Sequence, residues 1–287
     1  MRSILDTCIP KREIITGSFN PEVFTASLGP VIDYYKRGRS DIDSVYTNAE
    51  LFFKEATYPT QGLRLTLGEV FGRIAGDMTV PAIHRLETAF GGGKTHTLIA
   101  CVHIAYRGKE LQEVTRDIIS PELLPEPGTV SVVGVAGDQI PVHKPKGNLL
   151  IPYTLWGEIA YQIGGEALYR EVEEDATSYA APGRNYFEKV LKDRRVIIML
   201  DELAQYAARL EAARPDGANQ LAAFLMALHG YARNHRGISV ILTLASAADA
   251  FARQTEYLAE LISNVRGQEV SLDDAVGIGE KAVKGVA

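Results

Sequence analysis

The chain has 287 residues, 46% hydrophobic and 23% charged, with a formal net charge of -6. That length holds one large α/β domain, or a domain with an appendage, and gives ample apolar material for a core. The acidic balance argues against a protein that coats nucleic acid through its overall charge, although a local basic patch stays compatible with it. Cys8 and Cys101 form no metal or disulfide pattern and suit a reducing cytosol. No apolar run reaches membrane-spanning length, and Met1–Asp6 lacks the apolar stretch of a signal peptide, so a cytoplasmic location is expected.

Residues 1–79 read as an N-terminal helical cap without a strong strand. Pro21 opens a segment ending near Lys36, with Val23, Phe24, Leu28, Val31, Ile32 and Tyr35 at helical spacing, and Gly38 stops it. The basic cluster Lys36–Arg39 reads as a solvated helix end. A second helix is expected across Asn48–Ala56, then a turn cluster at Tyr58–Gly62. A third runs from Leu63 to about Ile74, with Leu63, Leu67, Val70, Phe71 and Ile74 on one face.

The pattern changes at Val80. Val80–Leu86 reads as a strand running into Glu87-Thr-Ala-Phe-Gly-Gly-Gly-Lys-Thr95, and Lys94–Leu111 as the helix that leaves it. Gly91, Gly92 and Gly93 let the backbone curl with its N–H groups pointing inward, as a phosphate-cradling loop requires. Lys94 can then reach the β- and γ-phosphates, the Thr95 hydroxyl can ligate Mg²⁺, and the helix dipole faces the same anion. The strict pattern places a glycine where Thr88 stands, so a glycine-rich turn ahead of Lys-Thr is the plain alternative.

Thr129–Val135 is short and β-branched, the pattern of a buried parallel strand. Residues 136–194 read as a helical insertion: a Pro/Lys/Gly loop at 141–147, a helix around Leu155–Ile163, an acidic stretch at Glu171–Asp175 and a helix near Tyr186–Leu191. Arg195–Glu202 then forms an apolar strand ending in two carboxylates. Parallel sheets bind ligands outside the carboxyl ends of their strands, so both acids are expected beside the glycine loop. Asp201 would hold Mg²⁺ and Glu202 would orient the attacking water. Asp216–His235 is an amphipathic helix, and Ser239–Leu244 is the next buried strand, with Thr243 and Ser246 as hydroxyls at its end. Ala248–Val265 reads as a helix and Gln268–Leu272 as a fifth strand, followed by a small polar tail, Asp273–Ala287, expected to be disordered or truncated.

The order implies an α/β P-loop NTPase of the AAA+ type, its core at 80–272. More narrowly, Thr57–Arg64, Phe90–His96, Thr154–Gln162 and Leu200–Tyr206 resemble the bacterial ATPases grouped as domain of unknown function 499, over about residues 20–265. In that family the phosphate loop likewise lacks the first glycine. The resemblance implies ATP and Mg²⁺ as ligands. It makes Phe90, Gly91, Gly92, Gly93, Lys94, Thr95 and His96 nucleotide-binding, Thr95 and Asp201 metal-binding, and Glu202, Lys94 and Arg266 catalytic, with Arg253 second to Arg266 as the arginine offered to a neighbouring subunit; Thr243, by its place at a strand end, is the hydroxyl expected to touch the γ-phosphate or the water, with Ser246 the alternative. It also implies a homo-oligomer, DNA methyltransferase or anti-phage defence proteins as partners, and a C-terminal lid for which too few residues follow the fifth strand. A nucleotide-sensing module without turnover and a DNA translocase component are the competing readings; the scattered basic clusters do not make a nucleic-acid groove.

Overall fold

Five parallel strands form the centre of the chain in a computed structural model that describes residue 16 and residues 27–38, 44–87, 93–244 and 268–271. They are β1 (Ile83–Glu87), β2 (Ser131–Ala136), β3 (Val196–Asp201), β4 (Ile238–Leu244) and β5 (Gln268–Ser271), in the order β2-β3-β4-β1-β5. Every neighbouring pair is parallel. Parallel strands need helical crossovers, and the helices cover both faces, so the central strands are apolar throughout. All residues of β3 and β4 are buried.

Side chains alternate across a strand, and the two apolar cores follow that alternation. On one face Leu86, Val132, Ile197, Met199 and Ile241 pack against α1 (Leu28–Arg37), α2 (Gln61–Ala75) and α3 (Lys94–Arg107). On the other, Ile83, Val133, Val135, Ile198, Leu200, Val240 and Leu242 meet α4 (Leu155–Glu171), α5 (Arg184–Leu191), α6 (Leu203–Ala213) and α7 (Gly217–Asn234). The result is a three-layer α/β fold with a parallel sheet flanked by helices, as expected. The N-terminal helices share one continuous core with α3 and the sheet.

The strands start or stop within a few residues of their expected limits. β1 begins at Ile83, three residues later than the apolar pattern suggested, because Pro81 has no N–H for a ladder. The expected helix at Asn48–Ala56 is a short α-helical turn capped by the Asn48 side chain, then a π-helical turn over Phe52–Ala56. The helix after the glycine loop is α-helical only to Arg107, then a 3₁₀ turn over Gly108–Leu111. α4 continues past Ile163 to Glu171, broken at Gly164 and Gly165.

Two polar side chains finish backbone groups that the elements leave open. The buried Arg73 on α2 donates through Nη2 to the carbonyls of Ala232, Arg233 and His235 at 2.7, 3.0 and 3.1 Å, capping the C-terminus of α7. The Gln162 amide pairs with both backbone groups of Gly134 on the edge strand β2, accepting at 3.0 Å and donating at 2.9 Å. That occupies part of an edge which could otherwise pair with another chain. Among the described residues no helix is long and apolar enough to cross a membrane. The expected helix at Ala248–Val265 and the tail lie outside the described residues.

Candidate functional site

Strand order decides which side chains meet. β4 lies between β1 and β3, so the carboxyl end of β4 stands between the end of β1 and the acids at the end of β3. Asp201 falls in phase with Ile197 and Met199, and Thr243 with Ile241, so both face the layer containing α3.

Gly93 is the N-cap of α3 with φ 81° and ψ 11°, a left-handed conformation that glycine reaches without a Cβ clash. Its carbonyl accepts from the Thr97 backbone N–H at 2.9 Å and the Thr97 hydroxyl at 3.1 Å, which closes the first turn. Lys94 and Thr95 therefore begin a 14-residue helix whose first N–H groups have no intrahelical partner. The Thr95 hydroxyl donates to Asp201 Oδ2 at 3.3 Å, across 106 residues of sequence.

Asp201 is buried, with 7% of its surface exposed, at the end of β3. The Thr243 hydroxyl donates to its other oxygen, Oδ1. The same Thr243 oxygen accepts the backbone N–H of Glu202 at 3.1 Å. One hydroxyl at the end of β4 thus holds the Asp201 carboxylate and the Glu202 backbone N–H; Ser246, the other hydroxyl named in the sequence, lies outside the described residues.

Glu202 sits in a left-handed conformation (φ 53°, ψ 38°), one of two non-glycine residues with positive φ among those described. Such a backbone costs about 1–3 kcal/mol and persists only where the surroundings enforce it. Its side chain is exposed, in contrast to Asp201. Partial burial raises its carboxyl proton affinity, the Asp201 and Asp138 carboxylates add to the rise, and the Lys94 ammonium opposes it.

His96, at the start of α3, takes a supporting role. Its Nε2 lies 3.0 Å from the buried Thr57 hydroxyl, which donates to the Phe52 carbonyl at 2.8 Å. Since that hydroxyl proton is already committed, Nε2 is the donor to Thr57. The imidazole stacks on Phe52 with ring centroids 4.4 Å apart.

Of the residues singled out in the sequence, Gly93, Lys94, Thr95, Asp201, Glu202 and Thr243 come together at one end of the sheet. Phe90, Gly91, Gly92, Arg253 and Arg266 lie outside the described residues. Sequence reasoning missed Gly137, Asp138 and Arg209, which surround the Glu202 turn. The Gly-Asp pair directly after a β-branched strand was the available signal. A hydroxyl and a carboxylate at 3.3 Å form the hard-oxygen donor set that Mg²⁺ prefers, so the residues present fit that ion.

A family model described as DUF499 N-terminal domain matches residues 18–269, well over half of the chain. No curated protein and no solved structure matches.

Proposed function

The chain belongs to the DUF499 N-terminal domain family, and from that premise and the site geometry we propose that it is a P-loop, AAA+-like module that binds and hydrolyses Mg·ATP. The observation that carries the reading is the Thr95–Asp201–Thr243 hydrogen-bond chain, with the Glu202 backbone N–H on the same hydroxyl and Lys94 as the first residue of α3. Gly91, Gly92 and Gly93 would supply backbone N–H groups to the phosphates and Phe90 the entry to the loop. Lys94 pairs with the β- and γ-phosphate oxygens at the positive end of α3. Thr95 and Asp201 would hold Mg²⁺, which when bound offsets the charge that develops on the phosphate oxygens. Glu202 orients the attacking water and accepts its proton. A carboxylate with raised proton affinity is a better base than an ordinary one. Thr243 keeps the two acids in fixed relation, so that one faces the metal position and the other the water.

Arg266, with Arg253 second, is the proposed arginine supplied to a neighbouring subunit. A homo-oligomer and work in DNA modification or anti-phage defence beside a methyltransferase are proposed from the family resemblance alone, and a cytoplasmic location from the composition and the cysteine usage. The test is ATP turnover per subunit over a wide range of protein concentration, with Glu202→Gln as the blank and ATP affinity measured alongside. A specific rate that rises with concentration supports an ATPase completed by its neighbour. Tight binding with a rate equal to the blank throughout would replace it with a nucleotide-sensing module. Lys94→Ala is expected to weaken triphosphate binding, and unchanged affinity would remove the loop from the site.

A further inference from the structure

We propose that Arg209 is a positioning residue for Glu202, acting through the backbone turn at Gly137–Asp138; this rests on the ATPase reading above. Glu202 caps α6, and Arg209 lies seven residues further on, two turns along the same face of that helix. From there its Nη1 donates to the carbonyls of Gly137 and Asp138, both at 2.8 Å. A charged donor makes such bonds stronger than neutral ones.

The turn it holds abuts the strained residue. Gly137 continues the β2–β3 ladder by donating its N–H to the Asp201 carbonyl at 2.9 Å. A Cβ on Gly137 would stand 2.2 Å from the Glu202 carbonyl oxygen and 3.0 Å from the Tyr206 nitrogen, so only glycine lets the two turns meet. The Glu202 peptide is thereby gripped on both sides. Its N–H is taken by the Thr243 hydroxyl, and its carbonyl is packed under Gly137 while accepting the α6 N–H groups of Gln205 and Tyr206 at 3.0 and 3.4 Å. Arg209 closes the circuit, because it ties the turn to the helix that Glu202 itself begins. The same clamp holds Asp138, whose carboxylate acts on Glu202 from that turn. Among the described residues Arg209 bonds to the Gly137–Asp138 turn and not to Thr95, Asp201 or Thr243, so its loss is expected to change where the base points while ATP affinity is kept.

The experiment measures kcat, KM and ATP affinity for Arg209→Ala and Arg209→Lys, with backbone hydrogen exchange read over residues 136–139 and 201–206. Arg209→Ala is expected to lose about tenfold to a hundredfold in kcat, the scale of a small misplacement of a reacting group. ATP affinity should stay unchanged, with faster exchange in both segments. Arg209→Lys restores a charged donor and should recover most of the rate. An unchanged kcat would overturn the proposal, as would a fall that tracks loss of ATP affinity and of thermal stability. If wild-type turnover proves absent or indifferent to Glu202→Gln, the ATPase reading fails by itself. Exchange then decides the clamp: faster in both segments with Arg209→Ala supports it, and unchanged exchange overturns it. Gly137→Ala, which drives a methyl against the Glu202 carbonyl, should lower kcat further while leaving ATP bound.

Discussion

The two faces of the sheet bury different kinds of side chain. Around α4–α7 the core is organised on rings, with Phe224 fully buried and in contact with Trp156, Tyr186 and Phe187 at centroid distances of 5.4, 6.4 and 5.8 Å. Around α1–α3 the apolar core, which has its own rings in Phe52, Phe53 and Phe71, also encloses Thr57, Thr66, Arg73, His84 and His103. Apolar packing is non-directional and tolerates small shifts, whereas a buried imidazole or hydroxyl must find its partner at the right distance and angle. His96 and His103 lie seven residues apart on α3, and both meet the N-terminal segment. His96 reaches Thr57, and His103 sits between the Tyr35 hydroxyl at 2.7 Å and the Tyr46 carbonyl at 3.1 Å. Phe52 lies against both rings, with centroids 4.4 and 4.9 Å away. The helix that starts the candidate site is thus oriented by imidazole and hydroxyl bonds to the N-terminal segment, whereas the buried bonds of the opposite layer, such as the Tyr186 hydroxyl to the Trp156 carbonyl, stay within that layer.

Three measurements would break or sharpen that contrast. Phe224→Ala in the opposite layer should cost about 3–5 kcal/mol of unfolding free energy, the range for a large buried ring, with ATP turnover per folded molecule unaltered. A comparable loss of turnover would mean that this layer does more than support. Denaturant titrations at several pH values would read His103 on the other face. Burial holds its folded pKa down to about 3, despite the hydrogen bond to the Tyr46 carbonyl. Between that value and about 6.5 the unfolded chain binds a proton that the folded chain does not. Stability should therefore fall as pH drops below about 6.5, with this residue contributing about 1.4 kcal/mol per pH unit. His103→Asn should show a shallower acid slope; the same slope would mean that the ring is not held neutral. Thr57→Val should cost about 1–3 kcal/mol, since it takes one hydroxyl from both the Phe52 carbonyl and the His96 ring. It should also weaken ATP binding, since it frees His96 at the start of α3. Calorimetry that shows the stability loss with full ATP affinity would reduce the Thr57–His96 bond to packing.

Much of this was legible one segment at a time. The run Val196–Leu200 could only be a buried strand, and Asp201 and Glu202 had to emerge at its carboxyl end. Gly93-Lys94-Thr95 marked a helix start with an anion-facing first turn, and the spacing of Leu221, Phe224, Leu225 and Leu228 placed α7 to within a residue. α6 is legible too in the alanine and leucine of Leu203–Ala213, strong helix formers, although its start directly after the two acids carries no ordinary capping residue. The length of α4 is hidden for a different reason: Gly164-Gly165 looks like a stop, yet the chain resumes its helix beyond the break.

Local periodicity and residue chemistry therefore determined the elements, their apolar faces and the identity of the reactive groups, since these depend on neighbours a few positions away. Only the tertiary structure decided which groups meet. Nothing in the spacing of Thr95, Asp201 and Thr243 says that β4 inserts between β1 and β3, and that insertion puts a single hydroxyl on the Asp201 carboxylate and the Glu202 backbone N–H. The Arg209 clamp on Gly137, the Arg73 cap on α7 and the Gln162 amide on the β2 edge arise likewise between residues 72, 159 and 28 positions apart. Such contacts are selected by how layers pack and which backbone groups remain unsatisfied, and a chain pattern does not encode either until the layers are in place.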